Sequence, residues 1–196
     1  WTPVVMQMLQ TVLSVPLNSR GLKLNAIDRR HRVDEMAFCF QTDAFDHMQW
    51  AQVLSRHVDN AHPALRKASE NDFFAPPAGF MQGFIDLVFE SHGRFYLVDY
   101  KSNFLGSDFP DYAPSRLAEA MVQSQYTLQY LIYTVALDRW LERGLPDYRY
   151  DRHFGGVFYL FLRGMTPQAP DSGVFFDRPP AELVSDLTAL MEGSHG

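Results

Sequence analysis

Residues 83–101 read Gly-Phe-Ile-Asp-Leu-Val-Phe-Glu-Ser-His-Gly-Arg-Phe-Tyr-Leu-Val-Asp-Tyr-Lys, and this stretch constrains the fold more than any other. Two runs rich in β-branched and aromatic residues, 84–89 and 95–100, flank a short polar segment that contains the turn residue Gly93; such a pattern reads as a β-hairpin. A loop centred on His92 and Gly93, whether two or four residues long, sets the register and places Asp86 directly opposite Asp99. Opposed Cβ atoms in an antiparallel pair lie roughly 4.5–5.5 Å apart. Strand side chains alternate between faces, so Lys101 points the same way as Asp99.

Two like charges this close destabilise a hairpin unless something offsets them. A divalent cation does so: Mg²⁺ prefers octahedral oxygen coordination, keeps several waters and is usually held by one or two carboxylates. A neighbouring lysine can then orient the attacking water and stabilise charge that develops on a phosphoryl oxygen. The plainer alternative is a surface hairpin whose Asp and Lys form a weak salt bridge, and spacing alone does not separate the two. Composition favours the first. Tyr96, Leu97, Val98 and Tyr100 surround Asp99 as in a buried strand, and buried charges are rarely left without partners.

Asp86 followed by Asp99-Tyr100-Lys101 resembles the Asp…(Asp/Glu)-X-Lys signature of the PD-(D/E)XK nucleases. Longer strings resemble one branch of that superfamily, the C-terminal nuclease domains of the RecB family in exodeoxyribonuclease V: residues 83–89, Leu97-Val-Asp-Tyr-Lys-Ser-Asn103, Leu128-Gln-Tyr130 and residues 154–164. Together they cover most of the chain. The resemblance implies a Mg²⁺-dependent deoxyribonuclease, with Mn²⁺ able to substitute, that hydrolyses single- and double-stranded DNA during double-strand-break repair by homologous recombination. It implies partners as well: single strands delivered by a helicase, and RecC-like and RecD-like subunits. By the same resemblance Asp86, Asp99 and the backbone carbonyl of Tyr100 are metal ligands, Lys101 positions water for in-line attack, and Glu35 supports the site. The family has a further ligand, a histidine on an upstream helix, and His31 does not stand in an equivalent context. The expectation is therefore one RecB-type nuclease domain over residues 1–196, beginning downstream of that histidine.

At 196 residues, with 46% hydrophobic and 14% aromatic residues, the sequence suits a single domain with a sizeable core. Its one cysteine, Cys39, excludes an internal disulfide and a Cys-ligated iron–sulfur cluster and fits a reducing compartment. No apolar run approaches the ~20 residues of a membrane span, and the start lacks a basic segment followed by an apolar one. A cytoplasmic protein without membrane contact is expected. The formal charge of −6 runs against tight independent DNA binding, which rests on Lys and Arg neutralising phosphates. It suits a module that is handed its strand by partner subunits or a protein that never touches DNA, and the hairpin favours the first.

Along the rest of the chain, residues 1–15 space their apolar side chains as an amphipathic helix that packs on the core. Arg29, Arg30 and Arg32 precede a strand over 33–40, which carries Glu35. A helix is expected over 45–57 and a turn-rich stretch over 71–78; the polar segment 42–78 shows no catalytic motif, and the sequence does not decide whether it forms a lid or a partner contact. His47, His57 and His62 read as surface histidines rather than metal ligands. A helix over 115–124 is capped by Ser115, and a longer one covers 126–143. There Leu128, Leu131, Ile132, Val135 and Leu141 form the buried stripe, while Tyr126, Gln129 and Tyr133 lie on another face. A Gln four residues before a Tyr resembles the family's helix motif, which makes Gln129 and Tyr133, with Tyr126, the candidates for contact with DNA or the metal's water shell. Residues 155–162 have the composition of a buried strand, with Arg163 as its solvated end or a phosphate contact. A short edge strand over 174–176, a closing helix over 180–191 and a loose end at 193–196 complete the chain.

This order of elements predicts an α/β fold, a mixed central sheet flanked by helices, of the restriction-endonuclease-like kind. A second class of function stays open: a nuclease-like domain kept as an interaction surface, such as a docking site for a RecA-type recombinase. Intact Asp86, Asp99 and Lys101 count against it. A nuclease for RNA or branched DNA would share the same site.

Overall fold

The computed structural model describes residues 2–57, 62–68 and 78–193. Its helices are α1 (Thr2–Ser14), α2 (His47–His57), α3 (Pro63–Ala68), α4 (Pro114–Gln123), α5 (Tyr126–Gly144), α6 (Tyr150–His153) and α7 (Ala181–Met191). One sheet runs through the molecule in sequence order: β1 (Arg32–Thr42), β2 (Gly79–Ser91), β3 (Arg94–Lys101), β4 (Phe154–Phe161) and β5 (Val174–Asp177). All neighbours are antiparallel except β3 and β4. That parallel pair requires a crossover, which α4 and α5 provide. The mixed sheet flanked by helices is the architecture expected from the sequence.

The hairpin forms as read. Ser91 pairs with Arg94 across a two-residue turn in which His92 and Gly93 have φ of 54° and 74°, the positive values a type I′ turn demands. Glu90 Oε1 closes it by accepting from the Gly93 N–H at 2.6 Å. An L-residue in the left-handed region is disfavoured by roughly 1–2 kcal/mol, and asparagine tolerates that region better than histidine. His92→Asn should therefore raise stability in urea unfolding by about 1 kcal/mol or less, without touching the residues of the site described below.

Every residue of β4 is buried, as befits a strand covered on both faces. One face of the sheet packs against α2, α3, α4, α5 and α7 around Ile85, Leu97, Tyr130, Tyr159 and Leu187, forming the main core. The other builds a smaller core from Leu87, Phe89, Val98, Phe158 and Leu160 with Val12, Val15, Leu17 and Leu24. Helix α1 does not pack as expected. Only Val12 in it is buried, and Val4, Val5, Met6, Leu9 and Leu13 are exposed by 41% to 63%, because the chain reaches the sheet only where α1 ends.

The described parts of residues 42–78 are core elements, not a separate lid: Trp50, Val53, Leu54, Ala64 and Leu65 are buried in the main core. The expected turn over 71–78 lies outside the described residues except for Ala78. Two histidines read as surface groups are half-buried instead. His57 Nε2 lies 2.9 Å from Asp186 Oδ2 on α7, and His62 Nδ1 lies 2.6 Å from Asp177 Oδ1 on β5, because this segment folds back over the sheet. Helix α4 starts at Pro114 with Ala113 as its unassisted cap, so Ser115 lies within the first turn and does not cap it. Proline is well suited to that first position, where its missing N–H is not needed.

Candidate active site

Strand β2 changes faces at Asp86. Ile85 lies in the main core and Leu87 in the smaller one, although residues two apart on a regular strand share a face. In the β1–β2 ladder, Asp34↔Leu87 and Met36↔Ile85 flank one missing pair without a change of register, and Glu35, across from Asp86, has φ 54°. A non-glycine residue seldom adopts that conformation. At the same level β2 parts from β3: pairing runs from Ser91↔Arg94 to Leu87↔Val98. The register is the expected one, and Asp86 and Asp99 stand one step beyond its last pair. The Asp86 carboxylate then replaces the lost ladder partner, with Oδ2 accepting from the Tyr100 N–H at 2.9 Å.

Beyond the split, β3 continues on β4, with Asp99↔Tyr159 and Lys101↔Phe161. Asp99 follows Leu97 on the main-core face and is 3% exposed. Lys101 Nζ lies 2.5 Å from Asp99 Oδ1 and donates to Gln129 Oε1 at 3.0 Å. The Tyr159 hydroxyl donates to the same oxygen at 3.1 Å, and Gln129 Nε2 donates to the Tyr133 hydroxyl at 2.9 Å. The ammonium also sits 4.0 Å from the centre of the Tyr126 ring and 5.1 Å from that of Tyr159, within range of cation–π attraction. Tyr126 in turn donates to Asn103 Oδ1 at 3.0 Å. All three α5 residues singled out in the sequence thus meet Lys101 or its partners. Glu35 does not join them: it is exposed, and only its position across the ladder brings it beside Asp86.

Burial pushes the Asp99 carboxyl above its usual range; Lys101 opposes this and the charge of Asp86 adds to it. The Tyr133 hydroxyl is raised too, first by burial and then by the charges of Asp99 and Asp86. Apart from the contact with Lys101, Asp99 Oδ1 is a buried oxygen with no hydrogen-bond partner, and such an oxygen suits a cation. Among the described residues no three His, Cys, Asp or Glu side chains gather into a metal cluster. The donors at hand are two carboxylates and the Tyr100 carbonyl. That all-oxygen set fits a hard, water-rich ion such as Mg²⁺ better than zinc, whose sites are built on His nitrogen and Cys sulfur.

No family model matches the chain. Individual relatives do. The RecBCD enzyme subunit RecB of Escherichia coli K12 is 38% identical over 199 residues, covering 98% of this chain and 16% of the relative. RecB of Haemophilus influenzae is 43% identical over 197 residues, covering 97% of this chain and 15% of the relative. For RecB of Mycobacterium tuberculosis H37Rv the identity is 45% over 152 residues, or 72% of this chain and 14% of the relative. The chain is a RecB homologue. It spans about a sixth of the length of the curated relatives it matches. In this RecB homologue no helix among the described residues is long and apolar enough to cross a membrane.

Two residues that join this cluster carry little signal in the sequence. Tyr159 sits inside the apolar run of β4, and its only signal is a hydroxyl among Phe, Leu and Val; burial raises that hydroxyl well above its ordinary value. Asn103 follows Lys101 by two residues and gains a role only when α5 brings Tyr126 to it.

Proposed function

We propose that this RecB homologue is the nuclease domain of a RecBCD-type helicase-nuclease and hydrolyses phosphodiester bonds of DNA in the PD-(D/E)XK manner. The observation that carries the reading is the convergence of Asp86, Asp99 and Lys101 where β2 leaves β3, with the buried Asp99 Oδ1 met by the Lys101 ammonium alone. Asp86, Asp99 and the Tyr100 carbonyl would hold Mg²⁺, or Mn²⁺ in its place, and Glu35 would support Asp86 from β1. Such an ion, when bound, polarises the phosphoryl oxygen and makes water a better nucleophile.

The chain's own residues do the rest. Lys101, held by Gln129 and flanked by two aromatic rings, presents an ammonium to the attacking water and to the charge growing on the phosphate. Tyr133 and Tyr159 fix the orientation of Gln129 and so the height of that ammonium. The formal charge of −6 suits a strand delivered by a helicase within a complex with RecC and RecD. The work is that of double-strand-break repair by homologous recombination in the cytoplasm.

Degradation of a single-stranded oligodeoxynucleotide in Mg²⁺ and in Mn²⁺, with calorimetric metal titration alongside, tests the reading. Asp86→Ala is expected to reduce cleavage to background and to remove the calorimetric Mg²⁺ signal. Cleavage that persists in this variant, or that needs no divalent ion, would overturn the assignment.

A further inference from the structure

A second cation is tethered, through the turn that leaves β4, to the residue that follows Lys101. The Leu162 N–H donates to the Lys101 carbonyl at 2.9 Å, so β4 stays against β3 to its very end. Arg163 Nε then donates to the carbonyl of Ser102, the next residue along, at 2.8 Å. The turn itself is held tightly. The Gly164 N–H donates to Phe161 O at 2.9 Å, and a Cβ at position 164 would stand 2.2 Å from Tyr112 Cγ. Only glycine lets the ring of Tyr112, itself 2% exposed, lie across the turn. Tyr112 is tied down in turn, its hydroxyl accepting from Leu105 N–H at 3.2 Å and its carbonyl from Gly173 N–H at 3.0 Å.

Arg163 is exposed, and among the described residues its two terminal nitrogens have no hydrogen-bond partner and no carboxylate pairs with it. Its neighbour Asn103 has its carbonyl oxygen engaged by Tyr126, which leaves the amide hydrogens to donate. The surface just past Lys101 therefore offers hydrogen-bond donors on a rigid base. A guanidinium whose Nε is anchored and whose outer nitrogens are open is shaped for bidentate contact with a phosphate. In a chain of formal charge −6, a polyanion must be met by cations placed one at a time.

We propose that Arg163 binds the phosphate next to the scissile one, setting the position of the DNA strand across Lys101. The inference rests on the nuclease reading of the site and adds a positioning residue to it. It makes the effect of Arg163 one on binding and register of the strand, with the chemistry left to Asp86, Asp99 and Lys101.

The test uses the 196-residue chain and a single-stranded oligodeoxynucleotide, with affinity measured against KCl concentration in EDTA and steady-state cleavage measured in Mg²⁺. Arg163→Ala should weaken binding severalfold and make the slope of log K against log salt shallower by about 0.7, the value for one phosphate contact on a single strand. The loss should appear in KM and not in kcat. Arg163→Gln keeps a donor for Ser102 O without the charge, and should show the same slope change in a fold unaffected by the loss of that tether. Arg163→Lys should restore the slope but only part of the affinity. An unchanged slope in the Ala and Gln variants of a chain that still binds would overturn the inference alone. A wild-type chain that binds the strand but does not cut it in Mg²⁺ or Mn²⁺ would overturn the nuclease reading, while the salt slope still decides whether Arg163 holds a phosphate.

Discussion

An Asp99→Asn variant is expected to lose nuclease activity and to melt at a higher temperature than wild type at neutral pH. Asp99 titrates above the ordinary range in the folded chain because burial outweighs the opposing effect of Lys101. A carboxyl raised in this way favours folding while it is protonated. That contribution is complete below the unfolded value, near 3.8, and is lost as pH rises through the folded value. At neutral pH the ionised group is a cost that a neutral amide of the same shape does not carry. Relief of this kind commonly contributes about 0.5–2 kcal/mol, and the recurrent penalty is lost function. Thermal melts should show the gap between variant and wild type closing as pH falls toward about 4. Added Mg²⁺ should stabilise wild type and not the variant, since only a state that binds the ion gains from it. A variant that is less stable than wild type at pH 7 would mean that the pairing with Lys101 outweighs burial.

The parts of this site that the sequence made legible are those set by local rules. His92-Gly93 admits one tight turn, and the turn fixes which residues of the hairpin face each other. Helical spacing puts Tyr126, Gln129 and Tyr133 on a shared face whatever the surroundings. The interruption at Asp86 obeys no local rule. Glu35 carries the positive φ without being glycine or asparagine, and β1 and β2 skip the same level, so neither strand gains a residue. What requires the interruption is the demand of two separate cores on Ile85 and Leu87. The contacts of His57 on α2 and of His62 just before α3 are invisible in the sequence for the same reason: their partners lie 129 and 115 residues away. Helix α1 failed in the opposite sense, since apolar spacing reports that a face is available for burial and says nothing of what buries it.

Lys101→Ala should lower the cleavage rate by about 10²–10³-fold, the usual effect of removing one preorganised donor from a transition state. Lys101→Arg should not restore it, because the space between the Tyr126 and Tyr159 rings and Gln129 Oε1 suits a compact ammonium and not a planar fork. Stability separates the two members of the pair. Without its charge, Asp99 leaves behind a lysine that still donates to Gln129 and lies against two rings. Without Lys101, Asp99 keeps a buried carboxylate whose Oδ1 has no hydrogen bond. Breaking a buried pair from that side typically costs about 3–5 kcal/mol, a figure that protonation of Asp99 reduces. Lys101→Ala should therefore destabilise most at pH 7–8 and recover as the pH is lowered, the reverse of a mere packing loss, which would not titrate. Combining Lys101→Ala with Asp99→Asn should return most of the lost stability without any activity, a coupling that a double-mutant cycle in urea measures directly. Additive effects of the two changes would mean that the short contact between these side chains does not govern the energetics of the site.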